Sequence, residues 1–132
     1  MAEALNAFLM FEDAQAEPAM AFYTSLFEDG DVLEVTRFPE GGPGKAGTIM
    51  TAKFRMAGQE VMCTDSPAAH DFSFTPATSF FVTCSDAAEQ TRLYEALMDG
   101  GSALMPMGEY GFSQRFAWVN DRYGVSWQLN LP

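Results

Sequence analysis

The chain has 132 residues, which is enough for one domain with a substantial core. Its apolar share of 48% and its charged share of 19% are typical of a folded globular protein and argue against disorder. Eighteen acidic residues against seven basic ones give a formal charge of −11, which disfavours nucleic acid and an anionic membrane surface as partners.

The first half of the chain predicts the element order β-α-β-β-β. Leu5–Phe11 is a short apolar run suited to a strand, and Pro18 suits the first turn of the helix that follows. Five residues with helical spacing form the apolar face of this helix: Ala19, Phe22, Tyr23, Leu26 and Phe27. Asp29-Gly30-Asp31 breaks the helix. Three strands are then predicted at Val32–Phe38, Thr48–Met56 and Gln59–Thr64.

The strand Thr48–Met56 shows a clear alternation of side chains. One side is predicted to carry Met50, Ala52, Phe54 and Met56, and the other Ile49, Thr51, Lys53 and Arg55. Ala57-Gly58 predicts a tight hairpin turn after this strand, and the Gly- and Pro-rich segment 39–45 before it predicts an exposed loop.

The second half predicts the same element order after a connector at Asp65–Pro76. A strand is predicted at Thr78–Cys84, and Asp86, followed by Glu89, is the predicted N-cap of a second helix. The apolar stripe of this helix is Leu93, Tyr94, Leu97 and Met98, and Gly100-Gly101 ends it. The remaining strands are predicted at Ala103–Pro106, Phe112–Val119 and Val125–Leu131.

The two closing strands predict a sheet curved around a partly polar cavity. On the last strand Val125, Trp127 and Leu129 point one way, and Ser126, Gln128 and Asn130 point the other. The neighbouring strand carries Phe112, Gln114, Phe116 and Trp118 on one side, which is too aromatic for a face in water.

The two halves are related as a repeat. Adding 71 to the residue number places Tyr23 on Tyr94 and Gly30 on Gly101. The predicted fold class is α+β, with paired βαβββ modules that form curved mixed sheets and carry helices on the outer faces. We expect a single domain over residues 1–132, made of modules at about 1–65 and 77–132 with a connector at 66–76.

Several segments resemble a known family: Phe8–Phe11 leading to Ala21-Phe22-Tyr23, Phe74-Thr75-Pro76-Ala77, Met105-Pro106-Met107-Gly108, and the long run Phe116–Leu129. With these segments the whole chain resembles the PhnB-like branch of the vicinal oxygen chelate superfamily, which also contains glyoxalase I, bleomycin-resistance proteins and extradiol dioxygenases. The resemblance implies paired βαβββ modules, a cavity in each curved sheet and commonly a homodimer. It does not imply a particular reaction.

The resemblance also indicates where a metal would be held. Members with metal chemistry place His or Glu at four cavity-facing positions, which fall in this chain near Asn6, Thr51, Thr78 or Ser79, and Gln128. None of these is His, Asp, Glu or Cys. Neutral hydroxyls and amides bring no charge to offset the dehydration of a divalent ion. We therefore expect no metal site of the usual kind and no cofactor.

Some relatives carry a methyltransferase label. A methyl-donor nucleotide site normally needs a Gly-rich turn between a strand and a helix, whereas Gly41-Gly42-Pro43-Gly44 lies between two predicted strands. We therefore do not assign methyl transfer from the sequence.

The candidate ligand-binding residues are Thr51, Trp118, Gln128, Tyr110 and Phe112. Thr51 and Gln128 would face the cavity and contact a ligand, or else hydrogen-bond each other or water. The three aromatic residues would form a wall for an apolar or planar ligand, or else fill the core as large rings do without any ligand. No catalytic residue is assigned.

Three further features complete the sequence predictions. The start Met1-Ala2-Glu3-Ala4 lacks the features of a secretory signal, which predicts a cytoplasmic protein. Cys63 and Cys84 form neither a CxxC pair nor a ligand cluster, so free and mostly buried thiols are expected. His70 is the only histidine, lies in the connector, and is predicted to be solvated.

Three functions stay open at this point. The preferred hypothesis is a metal-independent small-molecule binding protein whose partners are a second copy of itself and a small organic molecule. The alternative is a glyoxalase- or dioxygenase-type metalloenzyme (lyase, isomerase or oxygenase) acting on a small organic substrate. In the third, side chains fill the cavity and the protein acts through its dimer surface alone.

Overall fold

The computed structural model describes all 132 residues, Met1–Pro132. Its backbone contacts divide it into two compact units, Met1–His70 and Asp71–Pro132. Each unit has the order β-α-β-β-β and one four-stranded sheet that contains both parallel and antiparallel pairs. The predicted α+β fold of repeated βαβββ modules is therefore confirmed.

The first unit contains five elements: β1 (Ala7–Phe11), α1 (Ala16–Ser25), β2 (Asp31–Arg37), β3 (Ile49–Met56) and β4 (Gln59–Asp65). The strand order is β1-β4-β3-β2, in which β1 is parallel to β4 and the other pairs are antiparallel. The strand that comes last in the unit is thus paired on both sides. All the predicted elements are present, with slightly shifted ends.

The buried face of α1 differs in part from the predicted one. The buried residues of the helix and its C-cap are Ala16, Ala19, Met20, Tyr23 and Leu26. Phe22 and Phe27, which were predicted for this face, are half-buried. Each helical residue is rotated about 100° from the last, so Phe22 lies at the edge of a face centred on Met20 and Tyr23. The Tyr23 ring stacks on Phe54 of β3 with centroids 6.1 Å apart.

A β-bulge changes the predicted alternation at the start of β3. From residue 51 onward the alternation is as predicted, with a buried side formed by Ala52, Phe54 and Met56. The register with β2 then shifts between Thr36 and Arg37, so that Met50 has no residue opposite it. The extra residue turns Ile49 to the buried side, where it is 0% exposed, and the predicted side for Ile49 is wrong.

The hairpin between β3 and β4 closes at Ala57-Gly58, as predicted. Both residues have positive φ, 49° and 79°, the pattern of the tight turns that match the twist of the paired strands. The Asp29 carboxylate, from the turn between α1 and β2, accepts hydrogen bonds from the N–H groups of Gly58 and Ala57, both at 2.8 Å. These two bonds, that of Gly58 first, lower the pKa of the Asp29 carboxyl group.

The second unit repeats the arrangement with β5 (Ser79–Thr83), α2 (Ala87–Met98), β6 (Ser102–Gly108), β7 (Arg115–Asn120) and β8 (Ser126–Leu131). Its strand order is β5-β8-β7-β6, and β5 is parallel to β8. The strand predicted to start at Phe112 starts instead at Arg115. Phe112 and Gln114 lie in the β6–β7 loop. Gly111, just before Phe112, has a φ of 92°, which is not the backbone conformation of a strand.

The helix α2 begins with the predicted cap. Asp86 accepts a hydrogen bond from the Glu89 N–H at 2.8 Å, which satisfies one of the free donors of the first turn. The Glu89 carboxylate in turn accepts from the Ser85 N–H at 2.9 Å. Neither helix is long and apolar enough to cross a membrane, since α1 has 10 residues and α2 has 12.

A buried polar residue lies at the centre of the face that α2 turns to the sheet. Leu93 and Leu97 are buried there as predicted, together with Gln90, which is 0% exposed. Gln90 Nε2 donates to the carbonyl oxygens of Arg115 at 2.9 Å and Leu129 at 3.1 Å, and its Oε1 accepts from Arg115 Nε at 2.7 Å. The Arg115 guanidinium is therefore held on the helix side of the second sheet.

Candidate functional site

The side of the second sheet that faces away from α2 carries aromatic and neutral polar side chains. Cross-strand partners lie on the same side of a sheet, and the register pairs Gln128 with both Trp118 and Phe81. We use the name aromatic face for the residues of β5, β7 and β8 that the register places on this side: Ser79, Phe81, Thr83, Phe116, Trp118, Asn120, Ser126, Gln128 and Asn130. The intervening residues Trp127 and Leu129 are buried on the α2 side.

A hydrogen-bonded network crosses the aromatic face from β7 to β5. The Trp118 indole donates from Nε1 to Ser126 Oγ at 2.8 Å, and Ser126 Oγ lies 2.6 Å from Ser79 Oγ. Gln128 Nε2 donates to Ser79 Oγ at 3.4 Å. Every member of this network is uncharged, so the network can orient a ligand by hydrogen bonds without attracting an ion.

A cluster of four aromatic rings lies beside this network. Phe116 is its centre and is 5% exposed, and its ring lies 4.9 Å from Phe112 and 6.4 Å from both Tyr110 and Phe81. Tyr110 stacks on Phe112 at 6.3 Å and donates its hydroxyl proton to the Pro106 carbonyl oxygen. The three outer rings remain 42–62% exposed, which leaves a large apolar surface next to polar groups.

Charged groups lie away from the aromatic face. Arg115 is the only charged residue of β5, β7 and β8, and Gln90 holds it on the helix side. Arg122, in the turn between β7 and β8, pairs with Asp99 at 3.3 Å. Glu109 is the one charged residue of the β6–β7 loop and is exposed. No cation is therefore placed on this face to neutralise an anionic ligand.

The structure brings four of the five candidate ligand-binding residues together. Trp118 and Gln128 are opposite each other on β7 and β8, and Tyr110 and Phe112 stack in the loop beside them. Thr51 belongs to the first unit, on the side of β3 opposite the buried residues. Any contact that Thr51 makes with a ligand or with water is therefore made from the first sheet, and the other four residues belong to the second unit.

The corresponding side of the first sheet has a different character. Its register places Phe8 beside Met62 and Met62 beside Lys53. The Lys53 ammonium lies 3.9 Å from the Glu34 carboxylate and 4.0 Å from that of Glu60. Phe8 is 54% exposed. This side is thus charged and apolar, and it lacks the network of neutral hydrogen bonds found on the second sheet.

The positions at which the superfamily holds a metal do not fit one in this chain. Asn6 donates to the Glu60 carbonyl oxygen at 2.9 Å, Ser79 and Gln128 belong to the neutral network, and Thr51 offers a hydroxyl. A divalent ion needs carboxylate, imidazole or thiolate ligands to offset its dehydration, and these positions supply none. No group of three or more His, Cys, Asp or Glu side chains is arranged to hold a metal elsewhere.

The two cysteines and the Ser66–His70 pair were compared with the arrangement of an activated nucleophile. Burial raises the pKa of the Cys63 thiol to about 12, with a smaller contribution from the Asp65 carboxylate, and burial raises that of Cys84 to about 11. Both are free and buried, as predicted, and hold little thiolate at neutral pH. Ser66 Oγ lies 3.0 Å from Nε2 of the exposed His70, but it donates its proton to the Ala68 carbonyl oxygen at 2.7 Å.

The sequence did not single out Ser126, Phe81 or Phe116 as site residues. Ser126 had been placed on the cavity side with Gln128, and Phe116 on the side of Trp118, so the alternation already carried that signal. Phe81 required the parallel pairing of β5 with β8, which joins it to Gln128 across a long separation in sequence. Ser79 was considered only as a metal position.

The two βαβββ units and the neutral aromatic face define a protein with the vicinal oxygen chelate fold. Residues 3–130 match the family described as 3-demethylubiquinone-9 3-methyltransferase. A PhnB protein from Bacillus cereus, provisionally named a 3-demethylubiquinone-9 3-methyltransferase, is 49% identical with a TM-score of 0.94, over 98% of this chain and 100% of that one. The chain therefore belongs to the PhnB-like family.

More distant structures share the fold. A glyoxylase/bleomycin resistance protein/dioxygenase domain from Frankia sp. EAN1pec is 16% identical with a TM-score of 0.65, over 99% of this chain and 98% of that one. The fosfomycin resistance protein FosX from Listeria monocytogenes, solved with Mn(II), is 15% identical with a TM-score of 0.65, over 100% of this chain and 94% of that one. A search of curated proteins gave no match.

The methyltransferase description of the family has no matching nucleotide site in this chain. Such a site is commonly a Gly-rich turn between a strand and a helix. The β1–α1 turn is Glu12-Asp13-Ala14-Gln15 and the β5–α2 turn is Cys84-Ser85-Asp86, neither of which contains glycine. Gly41-Gly42-Pro43-Gly44 connects β2 to β3, as predicted. The residues do not fit a methyl-donor nucleotide at these turns.

Proposed function

We propose that this PhnB-like chain is a metal-independent small-molecule binding protein and that both units act as one functional domain. Trp118, Gln128, Tyr110 and Phe112 form its principal binding surface, and Thr51 provides a second contact on the first unit. The observation that carries the proposal is the network of uncharged hydrogen bonds on the aromatic face, which lies beside the exposed rings of Phe81, Tyr110 and Phe112. Apolar surface with a few oriented polar groups is the usual composition of small-molecule sites.

Binding fits this surface better than catalysis. General acid–base catalysis needs a titratable group within hydrogen-bond reach of the substrate, and the aromatic face offers hydroxyl, amide and indole groups. None of these changes its charge near neutral pH. Rings of this size instead favour retention of a ligand, because covering them removes a large apolar area from water.

A thermal-shift screen tests the binding proposal. A compound that binds the folded protein alone is expected to raise its melting temperature by about 5–10 °C at a concentration about 100-fold above its Kd. We expect at least one chemical class in a broad library of small organic molecules to give such a shift. The proposal is wrong if a broad library gives none.

The same screen tests metal independence. A shift obtained with a ligand is expected to persist after the protein has been dialysed against a chelator, because no charged ligand set holds a divalent ion at the superfamily positions. A shift that disappears on chelation and returns with Mn, Fe, Ni or Zn would contradict metal independence. Elemental analysis of the purified protein is the matched control.

A glyoxalase- or dioxygenase-type metalloenzyme is the second candidate. It is favoured by the fold shared with FosX, whose structure contains Mn(II). It is disfavoured by the neutral residues at the positions of the family ligands. One equivalent of bound metal that is lost on replacing Gln128 would reverse the order of the two proposals.

We further propose that the protein is a cytoplasmic homodimer. Large apolar side chains outside the aromatic face lie exposed in both units, among them Phe8 at 54%, Val35 at 42% and Leu104 at 38%, and a second copy would cover part of this area. Light scattering during size-exclusion chromatography is expected to give about twice the chain mass of 14.5 kDa. A monomeric mass at the concentration used for ligand binding would contradict this prediction.

A further inference from the structure

The direction of each hydrogen bond in the network on the aromatic face follows from the donors available. Ser126 Oγ accepts from the Trp118 indole and lies 2.6 Å from Ser79 Oγ. If Ser79 were the donor of the second bond, the Ser126 proton would have no acceptor although that side chain is 1% exposed. A buried hydroxyl without an acceptor is unfavourable, so Ser126 donates to Ser79.

This direction leaves one donor and one acceptor facing out from the network. Ser79 Oγ accepts from Ser126 and from Gln128 Nε2, so its own proton has no acceptor in the protein. The Gln128 amide uses its nitrogen in this bond, and its oxygen Oε1 has no protein donor. A ligand at this point is therefore met by an O–H donor next to a C=O acceptor.

The apolar part of the surface adjoins this polar pair. Phe81 is the register partner of Gln128 on β5, and its ring lies 6.4 Å from that of Phe116. Phe81 is 57% exposed and Phe112 is 62% exposed. A planar ring system that reaches Ser79 and Gln128 with one edge would cover this surface with the rest of its area.

Charge further restricts the ligand. The cations of the second sheet are engaged elsewhere, Arg115 with Gln90 and Arg122 with Asp99, and the nearby loop contributes the exposed carboxylate of Glu109. The formal charge of the whole chain is −11. An anionic ligand would lose its hydration on this face and gain no counter-charge.

We propose, on the basis of the binding function above, that the aromatic face takes uncharged, planar heteroaromatic molecules with an amide-like edge, in which a C=O group lies next to an N–H group. The ligand C=O accepts from the Ser79 hydroxyl, and the ligand N–H donates to Gln128 Oε1. The ring system lies against Phe81, Phe116 and Phe112. This is a two-point recognition that neither a simple hydrocarbon nor a carboxylate satisfies.

Three compounds of similar size and shape test this assignment by titration calorimetry. 2-Quinolone has the C=O and the N–H, 1-methyl-2-quinolone has the C=O without the N–H, and 2-naphthoate has the same two-ring size with a negative charge. We expect 2-quinolone to bind about tenfold more tightly than the methylated compound, as the loss of one hydrogen bond and an unpaired Gln128 oxygen imply. The naphthoate is expected to bind more weakly still.

Two substitutions, each with a matched control, locate the contact. Gln128→Met and Ser79→Ala are expected to remove most of the preference of the protein for 2-quinolone over its methylated form. Gln59→Met and Ser73→Ala change the same residue types at exposed positions that do not belong to the aromatic face, and both are expected to keep the preference. Urea unfolding of all four variants verifies that the folded state is retained at the temperature of the titrations.

The outcomes separate the two proposals. Equal affinity for 2-quinolone and its methylated form, or tighter binding of 2-naphthoate, overturns the assigned ligand class. If in that case the thermal-shift library still yields a ligand, the binding function stands and only the ligand class is wrong. If 2-quinolone fails to bind and the library also yields nothing, both proposals are wrong. A preference that survives Gln128→Met places the recognition elsewhere and also overturns the assignment.

Discussion

Replacement of Asp121 by alanine is expected to lower the free energy of unfolding by about 4 kcal/mol. The Asp121 side chain is 4% exposed, and its Oδ1 accepts from the N–H groups of Tyr123 at 2.8 Å and Val125 at 3.1 Å. Its Oδ2 accepts from the Trp127 indole at 2.9 Å. The alanine variant leaves these donors buried without this carboxylate, and each bond to a charged acceptor contributes about 1.5–3 kcal/mol.

A double-mutant cycle with Trp127 separates the contribution of the bond to the Trp127 indole from that of the bonds to the backbone N–H groups. Asp121→Asn keeps an oxygen for the backbone donors but turns an N–H toward the Trp127 indole, which is itself a donor. Trp127→Phe removes that conflict, so the two substitutions together are expected to cost less than the sum of their separate effects. Urea unfolding followed by circular dichroism measures Asp121→Ala, Asp121→Asn, Trp127→Phe and the double variant. A loss below about 1 kcal/mol for Asp121→Ala would show that the carboxylate does not stabilise the β7–β8 turn.

Asp65→Ala is expected to destabilise the first unit by about 3 kcal/mol. Asp65 ends β4 and is 4% exposed. Its Oδ1 accepts from the Ala16 N–H at 2.9 Å, at the first residue of α1, and its Oδ2 accepts from the Ile49 N–H at 2.9 Å, at the start of β3. One carboxylate thus fixes the positions of three elements, and its negative charge also lies at the helix N-terminus, where it is favourable.

Asp65→Asn and Asp71→Ala serve as comparisons for this prediction. The asparagine keeps an acceptor for one of the two N–H groups, so an intermediate loss is expected. Asp71 is exposed, and its removal is expected to change stability by less than about 0.5 kcal/mol. Hydrogen exchange at the Ala16 and Ile49 amides is expected to accelerate in Asp65→Ala. Unchanged exchange at both amides would contradict the role assigned to this side chain.

The side-chain alternation predicted most of what positions the aromatic face. The structure confirms the predicted sides of β8. Trp127 and Leu129 lie on one side and Gln128 on the other, because packing fixes both sides of that strand. The rule did not hold at Ile49, where the β-bulge at Met50 reverses the sides. A bulge depends on the partner strand, and its position cannot be read from local alternation.

The burial of Asp65 and Asp121 could not be predicted from sequence patterns. Asp65 was assigned to the connector, and Asp121 lies between the predicted strands Phe112–Val119 and Val125–Leu131, where short acidic residues ordinarily belong to exposed turns. Their burial depends on donors that are distant in sequence, such as the Ala16 N–H for Asp65. The composition of the segments around them gives no sign of these contacts.

The candidate site was predicted only in part, because contacts between residues distant in sequence cannot be read from local patterns. Tyr110, Phe112, Trp118 and Gln128 come from adjacent elements of one sheet, and the sequence order alone brings them together. Thr51 was grouped with them because the alternation of its strand would turn it to the cavity, and it lies on the sheet of the other unit. Its part in ligand binding stays a prediction.

The parallel pairs β1–β4 and β5–β8 have a consequence for synthesis of the protein. In each unit the strand made first has no neighbour until the strand made last has emerged from the ribosome, and that late strand occupies an inner position of the sheet. A nascent unit therefore exposes an unfinished sheet until nearly all of its residues are available. Unpaired strands of this kind can pair with other chains, so each unit is most prone to aggregation in the interval before its last strand is available.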